Sequence, residues 1–195
     1  MTRTFIALEM NTALQRHLEE VTRQVARALP GVRWLDPAGI HLTLAFLGEL
    51  NDEQLSEAMN ASAAAARQVK AFSYRLSRLG IFGSPRQPRI IWMGIEEPSG
   101  SLVRLHRLLN QALEQRGFEI DQRPFSPHLT LARIKSPLTP GEQQELQRLL
   151  TGDQRGIASS TNYSASLIHM MKSELSRSGA HYTSLHEYVF GGVAQ

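Results

Sequence analysis

An α+β fold, with helices packed outside two mainly antiparallel sheets, is what the sequence predicts. Segments of alternating apolar and polar residues indicate strands with one buried face, and four segments with helical apolar spacing indicate amphipathic helices. The tetrapeptide His-Leu-Thr-Leu occurs twice, at residues 41–44 and 128–131, so one strand unit is present in two copies. The 195 residues are enough to bury one core. We therefore expect residues 1–195 to form a single domain.

The first half of the chain is predicted to begin with a strand followed by a helix. Residues 11–29 carry Leu and Val at helical spacing, and Pro30 and Gly31 end this helix. Asn51 or Asp52 caps a second, Ala-rich helix that runs to about Val69. The predicted strands lie at residues 4–9, 32–35, 41–47, 72–81 and 89–95, and residues 83–88 form a hairpin-like connection between the last two.

The second half continues the alternation of helices and strands. A third helix is predicted between Pro98 and Gly117, where four leucines share one face and the glycine marks the end. A short fourth helix is predicted at residues 139–150, with Pro140 in its first turn. The predicted strands lie at residues 128–134, around 158–174, and at 181–190.

The repeated tetrapeptide places a histidine and a threonine on one face of a strand and two leucines on the other. A single histidine in an amphipathic strand is usually an ordinary surface or core residue. Two copies with identical neighbours argue against this, because core packing needs only apolar residues of suitable size and would not require the same polar pair twice. We therefore expect His41, Thr43, His128 and Thr130 to face a common groove.

Two histidines facing one groove suit displacement at phosphorus without a metal ion. The reaction needs one group to deprotonate the attacking oxygen and another to protonate the leaving oxygen. With an ordinary pKa of about 6.5, one ring can be neutral and the other protonated near neutral pH. The threonine hydroxyls would then point at the non-bridging oxygens. Strict alternation turns Arg133 away from His128, so either a bulge or the strand end brings it inward, or it is a solvated surface arginine.

Composition and missing motifs exclude several classes of protein. The chain has no cysteine, which rules out disulfides, thiol nucleophiles and cysteine zinc sites. It has no Gly-rich phosphate loop, no Gly-x-Ser-x-Gly, no His-Glu-x-x-His and no cluster at metal-ligand spacing, so we expect neither metal nor cofactor. The N-terminus has no apolar run of signal-peptide length, and no stretch is long enough for a membrane helix, so we expect a cytoplasmic protein without membrane contact.

The basic residues are mostly arginine, although the net charge is only +3. Lys70, Lys135 and Lys172 are the three lysines among 21 basic residues. Arginine is the better partner for phosphate because its planar fork donates two hydrogen bonds. Biased codon usage would enrich arginine in the same way, so composition alone indicates an anionic partner only weakly.

The residues HLTLAFLGE at 41–49 and RPFSPHLTLARI at 123–134 resemble the paired His-x-Thr-x signatures of the 2H phosphoesterase superfamily. More narrowly, they resemble the RNA 2',3'-cyclic phosphodiesterases historically called 2'-5' RNA ligases. The similarity also includes FIALEM near the N-terminus, LSRLGIFGSPRQPRIIWMGI in the middle and Ser-Gly-Ala-His-Tyr near the end. A few extra residues in loops and in the stretch 151–161 are the departures from the family pattern.

The resemblance implies a bilobed fold with pseudo-twofold symmetry, in which both motifs line a central groove. It implies metal-independent hydrolysis of an RNA or nucleoside 2',3'-cyclic phosphate to the 2'-phosphate. By similarity, His41 would be the proton donor to the leaving 3' oxygen and His128 the proton acceptor that activates water. Thr43, Thr130 and Arg133 match the positions that bind the phosphate.

Two other functions stay open on the sequence. The same acid and base would serve the reverse reaction, which joins a 2',3'-cyclic end to a 5'-hydroxyl through a 2',5' linkage. A nucleotide-binding module without turnover is the third function, although loss of a histidine would be its signature and both histidines are present. The expected partners are RNA or nucleotides with 2',3'-cyclic phosphate ends, and the protein is expected to be a monomer.

The other histidines and the aromatic residues have less defined roles. Phe5, Trp92 and Tyr182 are candidates for stacking on a base, although a core position is the first expectation for each. The remaining histidines lack the repeated context and are predicted to be structural or exposed: His17, His106, His169, His181 and His186.

Overall fold

The computed structural model describes residues 1–8, 10–152, 154, 157, 161–175 and 180–191, without the side chain of Leu175. The strands in this part are β1 (Thr2–Leu8), β2 (Arg33–Trp34), β3 (Leu42–Leu50), β4 (Phe72–Ser84), β5 (Gln87–Glu96), β6 (His128–Arg133), β7 (Tyr163–Ala165), β8 (Leu167–Leu175) and β9 (Ala180–Val189). The α-helices are α1 (Thr12–Ala28), α2 (Asp52–Ala66), α3 (Ser101–Glu114) and α4 (Pro140–Thr151).

The strands form two antiparallel sheets, one in each lobe. The four-stranded sheet has the order β3-β1-β8-β9, and the five-stranded sheet has the order β2-β6-β5-β4-β7. The first copy of His-Leu-Thr-Leu lies on β3, next to β1, and the second lies on β6, between β2 and β5. Matching β3 with β6 and β1 with β5 relates the lobes by pseudo-twofold symmetry. The predicted α+β fold with two mainly antiparallel sheets is confirmed.

The helices cover the outer faces of the sheets. α2 contacts α3 and the strands β3, β8 and β9, so this pair of helices covers the four-stranded sheet. α4 contacts β4 and α1, so the other pair covers the five-stranded sheet. Each helix presents an apolar face to the core, as in α3, where Leu102, Leu105, Leu109 and Leu113 are buried.

Side-chain caps set the beginnings of three helices. The Asn11 side chain accepts a hydrogen bond from the Leu14 amide at the start of α1. Asn51 with Gln54, and Thr139 with Glu142, form capping boxes at α2 and α4. The predicted helices are therefore confirmed with small shifts at their ends.

The leucines of the two motifs anchor the central strands in the core. Leu42 is 1% exposed, and Leu129 and Leu131 are fully buried. Burial of a leucine side chain stabilises the fold by about 1.5–3 kcal/mol, so each motif strand is held from its inner face. The opposite face, which carries the histidines and threonines, is left to the groove.

The long strand predicted around residues 158–174 is wrong as a continuous element. β7 pairs with β4 in the five-stranded sheet, whereas β8 pairs with β1 in the four-stranded sheet. The chain crosses between the lobes at Ser166, which an alternation pattern cannot reveal because both pieces have period two. Residues 158–160 lie outside the described residues.

The predicted hairpin connection at residues 83–88 is shorter than expected. Gly83 pairs with Pro88 and Ser84 pairs with Gln87, so the turn itself contains only Pro85 and Arg86. Gly83 has a φ of 102°, which a residue without a Cβ adopts at no steric cost. The glycine therefore bends the strand rather than ending it. Glu9, the predicted end of the first strand, lies outside the described residues.

No helix in the described part of the chain is both long enough and apolar enough to cross a membrane.

We predict that Gly80→Ala destabilises the protein by about 1–3 kcal/mol, because the new Cβ would overlap the indole of Trp92 on the neighbouring strand. Urea unfolding monitored by circular dichroism measures the loss. Gly141→Ala is the matched control, since nothing lies within 4 Å of the site of its Cβ and α4 should gain from alanine. Equal stability of the two variants would contradict the packing of Trp92 over Gly80.

Candidate active site

The two histidines lie at the same point of the two lobes. His41 immediately precedes β3, after a short 3-10 turn at Pro37–Gly39, and His128 is the first residue of β6. Thr43 and Thr130 follow on the same faces and are partly exposed, whereas the leucines between them are buried. The structure therefore places both His-Thr pairs on the predicted polar face of each strand.

A β-bulge follows the threonine in both copies. In the second lobe, Trp92 pairs with Thr130 and Ile91 pairs with Ala132, so Leu131 is the extra residue. The bulge reverses the alternation, and Arg133 then pairs with Ile90 on the same face as Thr130. The structure therefore contains the bulge that the sequence offered for Arg133, and the side chain is exposed on that face.

The equivalent bulge in the first lobe brings a residue to the groove that the sequence prediction missed. Ala7 pairs with Thr43 and Ile6 pairs with Ala45, so the chain gains one residue at Leu44. Phe46 consequently faces the same side as Thr43, at the position that Arg133 occupies in the second copy. Phe46 is 73% exposed. Alignment of the two copies beyond the tetrapeptide would have matched Phe46 with Arg133.

The two motif strands meet across the interface between the lobes. Cα atoms of β3 and β6 come within 8 Å of each other. The charge of Arg133 acts on the His41 ring, although the two residues belong to different sheets. The structure thus brings the arginine of the second motif to the histidine of the first motif.

Each histidine ring is oriented by the same backbone hydrogen bond. Nδ1 of His41 lies 2.9 Å from the carbonyl oxygen of Gly39, and Nδ1 of His128 lies 2.7 Å from that of Ser126. A carbonyl oxygen only accepts, so Nδ1 must carry the proton in both the neutral and the charged ring. Nε2 is therefore the atom of each ring that can accept or donate a proton at the groove.

Aromatic side chains pack against both histidines. The Phe5 ring stacks on His41 with centroids 4.5 Å apart, and Tyr182 meets His41 edge-on at 4.8 Å. Phe82 meets His128 edge-on at 4.8 Å, and the Trp92 centroid lies 6.2 Å away. These contacts restrict ring rotation and exclude water from one side of each imidazole.

Burial lowers the pKa of His41, because a charged ring loses hydration there. The carbonyl of Gly39 opposes this effect by accepting a hydrogen bond from the protonated ring. The positive charge of Arg133 lowers the pKa further. In the free protein, His41 is thus biased toward the neutral form.

Among the described residues, there is no group of three or more histidine, aspartate or glutamate side chains that could hold a metal ion. The polar faces of the two motif strands carry two imidazoles, two hydroxyls and one guanidinium. These groups bind anions and transfer protons.

Comparison with known families agrees with this geometry. The chain matches the family model described as LigT-like phosphoesterase in two segments, residues 8–92 and 94–182. Each segment contains one copy of the tetrapeptide. The chain belongs to the LigT-like phosphoesterase family. The predicted family and the prediction of an enzyme are confirmed.

Several relatives of this phosphoesterase are named RNA 2',3'-cyclic phosphodiesterase. The chain is 33% identical over 145 residues to such a protein from Geobacillus stearothermophilus, which covers 74% of this chain but 46% of that protein. It is 31% identical to one from Thermotoga maritima, over 68% of this chain and 70% of that protein. It is 27% identical to one from Methanothermobacter thermautotrophicus, over 94% of this chain and 96% of that protein.

Solved structures share the whole fold. A protein from Thermus thermophilus superposes with a TM-score of 0.82 at 26% identity, covering 98% of this chain and all of that one. E. coli LigT complexed with 3'-AMP superposes with a TM-score of 0.70 at 22% identity, covering 98% of this chain and 99% of that one. The bilobed arrangement is therefore common to this phosphoesterase and these structures.

A cavity of about 250 Å³ opens beside His41 in this phosphoesterase. His169, Tyr182 and Ser184 line it, and the Nδ1 atom of His169 lies 3.1 Å from the Ser184 hydroxyl. The structure thus places His169 next to the site, whereas the sequence predicts only a structural or exposed histidine. Its hydrogen-bond partner Ser184 lies on the next strand, β9, and the two residues meet only through the pairing of β8 with β9, so the pattern around His169 alone did not indicate this.

The three stacking candidates differ in accessibility. Phe5 is only 3% exposed and lies beneath His41, which leaves no free ring face for a base. Trp92 and Tyr182 are partly exposed beside His128 and His41 respectively.

Two of the other histidines make packing contacts with distant parts of the chain. His17 on α1 lies 3.0 Å from the Tyr163 hydroxyl, which joins the helix to β7. His106 on α3 stacks on Phe125 with centroids 3.9 Å apart. Burial lowers the pKa of His106, and the Asp121 carboxylate partly opposes this.

We predict that Arg133→Gln raises the pKa of His41, because removal of a nearby positive charge favours the imidazolium form. Titration of the histidine ring signals by NMR measures the change. Arg75→Gln is the control, since Arg75 binds Glu96 and is not among the groups acting on His41. An unchanged His41 pKa in Arg133→Gln would place the guanidinium outside the groove.

Proposed function

We propose that this phosphoesterase hydrolyses the 2',3'-cyclic phosphate of RNA ends or nucleosides to a 2'-phosphate, using two histidines and no metal ion. The single observation that carries the proposal is the matched orientation of the two rings, each held through Nδ1 to a carbonyl. Such rings offer two Nε2 atoms from opposite lobes to one phosphate. The shared name of the relatives supports the same substrate class.

His128 acts as the base and His41 as the acid in this proposal. Nε2 of His128 takes a proton from water as the water oxygen bonds to phosphorus. The bond from phosphorus to the 3' oxygen breaks, and Nε2 of His41 gives its proton to that oxygen. The products are a free 3'-hydroxyl and a 2'-phosphate, so atoms and protons balance.

The lowered pKa of His41 fits a general acid that becomes protonated only when substrate is bound. In the free protein, burial and the charge of Arg133 disfavour the imidazolium. A bound cyclic phosphate is an anion, so it offsets the arginine charge and favours protonation of His41. A ring with a low intrinsic pKa then gives up its proton readily when the 3' oxygen leaves.

Thr43, Thr130 and Arg133 bind the phosphate in this proposal. The two hydroxyls come from opposite lobes, and the register of β3 and β6 supports this role because each threonine lies on the same strand face as its histidine. Arg133 supplies a charge that stabilises the additional negative charge of the transition state. Residues 1–195 would act as one bilobed domain, because both lobes contribute to one phosphate, and we expect a cytoplasmic monomer.

We predict that the purified protein converts 2',3'-cyclic AMP to 2'-AMP and that EDTA leaves the rate unchanged. Phosphorus NMR identifies the product, and addition of an oligonucleotide with a 5'-hydroxyl shows whether 2',5' ligation competes. The control is a His41→Ala, His128→Ala double variant prepared in the same way. A rate that is lost in EDTA and restored by a divalent metal would overturn the metal-free mechanism, and binding without turnover would indicate a nucleotide-binding module.

The second functional prediction separates the roles of the two histidines. On the natural substrate, His41→Ala and His128→Ala should each lose about 10²- to 10⁴-fold in rate. Replacing the 3' bridging oxygen by sulfur gives a leaving group that needs no proton. This substrate should rescue His41→Ala substantially and His128→Ala much less. Preferential rescue of His128→Ala would reverse the assignment, and equal rescue would refute both roles.

A further inference from the structure

Asp36 caps the short 3-10 turn that precedes His41. Its carboxylate accepts a hydrogen bond from the Ala38 amide at 3.0 Å, and Pro37 has a φ that suits the first position of the turn. The turn ends at Gly39, whose carbonyl accepts the hydrogen bond from the His41 ring. A turn of three residues has few backbone hydrogen bonds of its own, so its stability depends strongly on the cap.

The turn sets the direction of the Gly39 carbonyl through the peptide that joins Gly39 to Ile40. The Ile40 amide donates a hydrogen bond to the Pro37 carbonyl at 3.2 Å. In a trans peptide the N–H and the C=O point in opposite directions, so this bond directs the Gly39 carbonyl away from the turn. Nδ1 of His41 meets the carbonyl there at 2.9 Å. Unwinding of the turn would release this peptide and, with it, the orientation of the ring.

The second lobe cannot use the same arrangement. The carbonyl that binds His128 belongs to Ser126, and the next residue is Pro127, which has no N–H to hold the peptide. There the proline ring restricts φ, and the proline carbonyl accepts a hydrogen bond from the neighbouring strand β5. A change at Asp36 should therefore disturb His41 and leave His128 in place.

The charge of Asp36 is not what acts on His41. The effects that shift the pKa of His41 are burial, the carbonyl at the end of the turn and the charge of Arg133, and the Asp36 carboxylate is not among them. Tyr182 and His169, the other titratable side chains beside His41, are not among them either. An uncharged side chain that caps the turn equally well should therefore replace Asp36.

We propose that Asp36 is a positioning residue for the general acid, because it holds the turn that directs Nε2 of His41 toward the leaving oxygen. This inference rests on the proposed function, since it assumes that His41 donates the proton. The Asp36 side chain is exposed and bonds to the turn itself. It therefore acts through the Gly39 carbonyl and not on the substrate.

Four variants separate capping from charge. Asp36→Asn and Asp36→Ser remove the charge and keep a cap, whereas Asp36→Ala and Asp36→Val remove both. With 2',3'-cyclic AMP, kcat should fall roughly tenfold in the two variants without a cap, because a displaced acid transfers its proton poorly. The two capping variants should stay within about twofold of the wild-type kcat. KM should change little in all four variants, since Asp36 does not bind the phosphate.

Two measurements distinguish positioning from a general loss of stability. A substrate with sulfur as the 3' bridging atom should bring Asp36→Ala close to the wild-type rate, because its thiolate leaves without an acid. NMR titration of the free protein should show a lower pKa of His41 in Asp36→Ala, because the Gly39 carbonyl raises that pKa by accepting from the protonated ring. The ring signals of His128 should not change.

Asp121→Ala is the matched control. Asp121 also accepts a hydrogen bond from the amide two residues later, that of Arg123, at 3.0 Å. It lies in the loop between α3 and β6, so its removal should leave kcat and the His41 signals unchanged. Thermal unfolding of every variant detects a loss of fold.

Several outcomes would overturn the inference. One is a wild-type kcat in all four variants, and another is an equal loss in Asp36→Asn and Asp36→Ala, which would assign the effect to charge. A third is a failure of the sulfur substrate to restore Asp36→Ala, and a fourth is an unchanged His41 pKa in that variant. The NMR titration needs no turnover, so it tests the positioning role separately. A wild-type protein that does not hydrolyse 2',3'-cyclic AMP would instead refute the proposed function.

Discussion

The hydrogen bond from each histidine Nδ1 to the carbonyl two residues earlier is the interaction on which the site depends. An imidazole presents two different nitrogens, and rotation about its χ2 torsion would exchange them at the groove. The carbonyls of Gly39 and Ser126 remove this ambiguity because they accept a hydrogen bond and cannot donate one. The chemistry of Nε2 is therefore set by backbone atoms and not by a carboxylate partner.

The segments that supply these carbonyls are themselves held in place. Before His41, the Asp36 side chain accepts a hydrogen bond from the Ala38 amide and stabilises the 3-10 turn that ends at Gly39. Before His128, the carbonyl of Pro127 accepts a hydrogen bond from the Ile95 amide on β5. One lobe thus uses a local turn and the other a neighbouring strand, although the resulting ring orientation is the same.

The alternating pattern of the motifs is sufficient to predict which side chains enter the core and which face the groove. Leu42 and Leu129 are buried while Thr43 and Thr130 are partly exposed, because successive side chains of a strand point to opposite faces of the sheet. The same pattern cannot show where a chain changes sheets, which is why the break at Ser166 is not predicted. It also cannot predict the packing of His169 and Ser184 beside His41, because these residues meet only through the register of β8 and β9.

Two lobes with the same backbone become chemically different through a few side chains. The bulge that directs Arg133 into the groove directs Phe46 there from the other lobe, so charge enters from one side and an apolar ring from the other. His41 lies against Phe5 and Tyr182 and is largely enclosed, and burial lowers the pKa of its ring. A symmetric site would leave acid and base interchangeable. In the mechanism that we propose, the uneven surroundings make proton donation by His41 conditional on bound phosphate, because the anion is the group that compensates for burial and for the arginine charge.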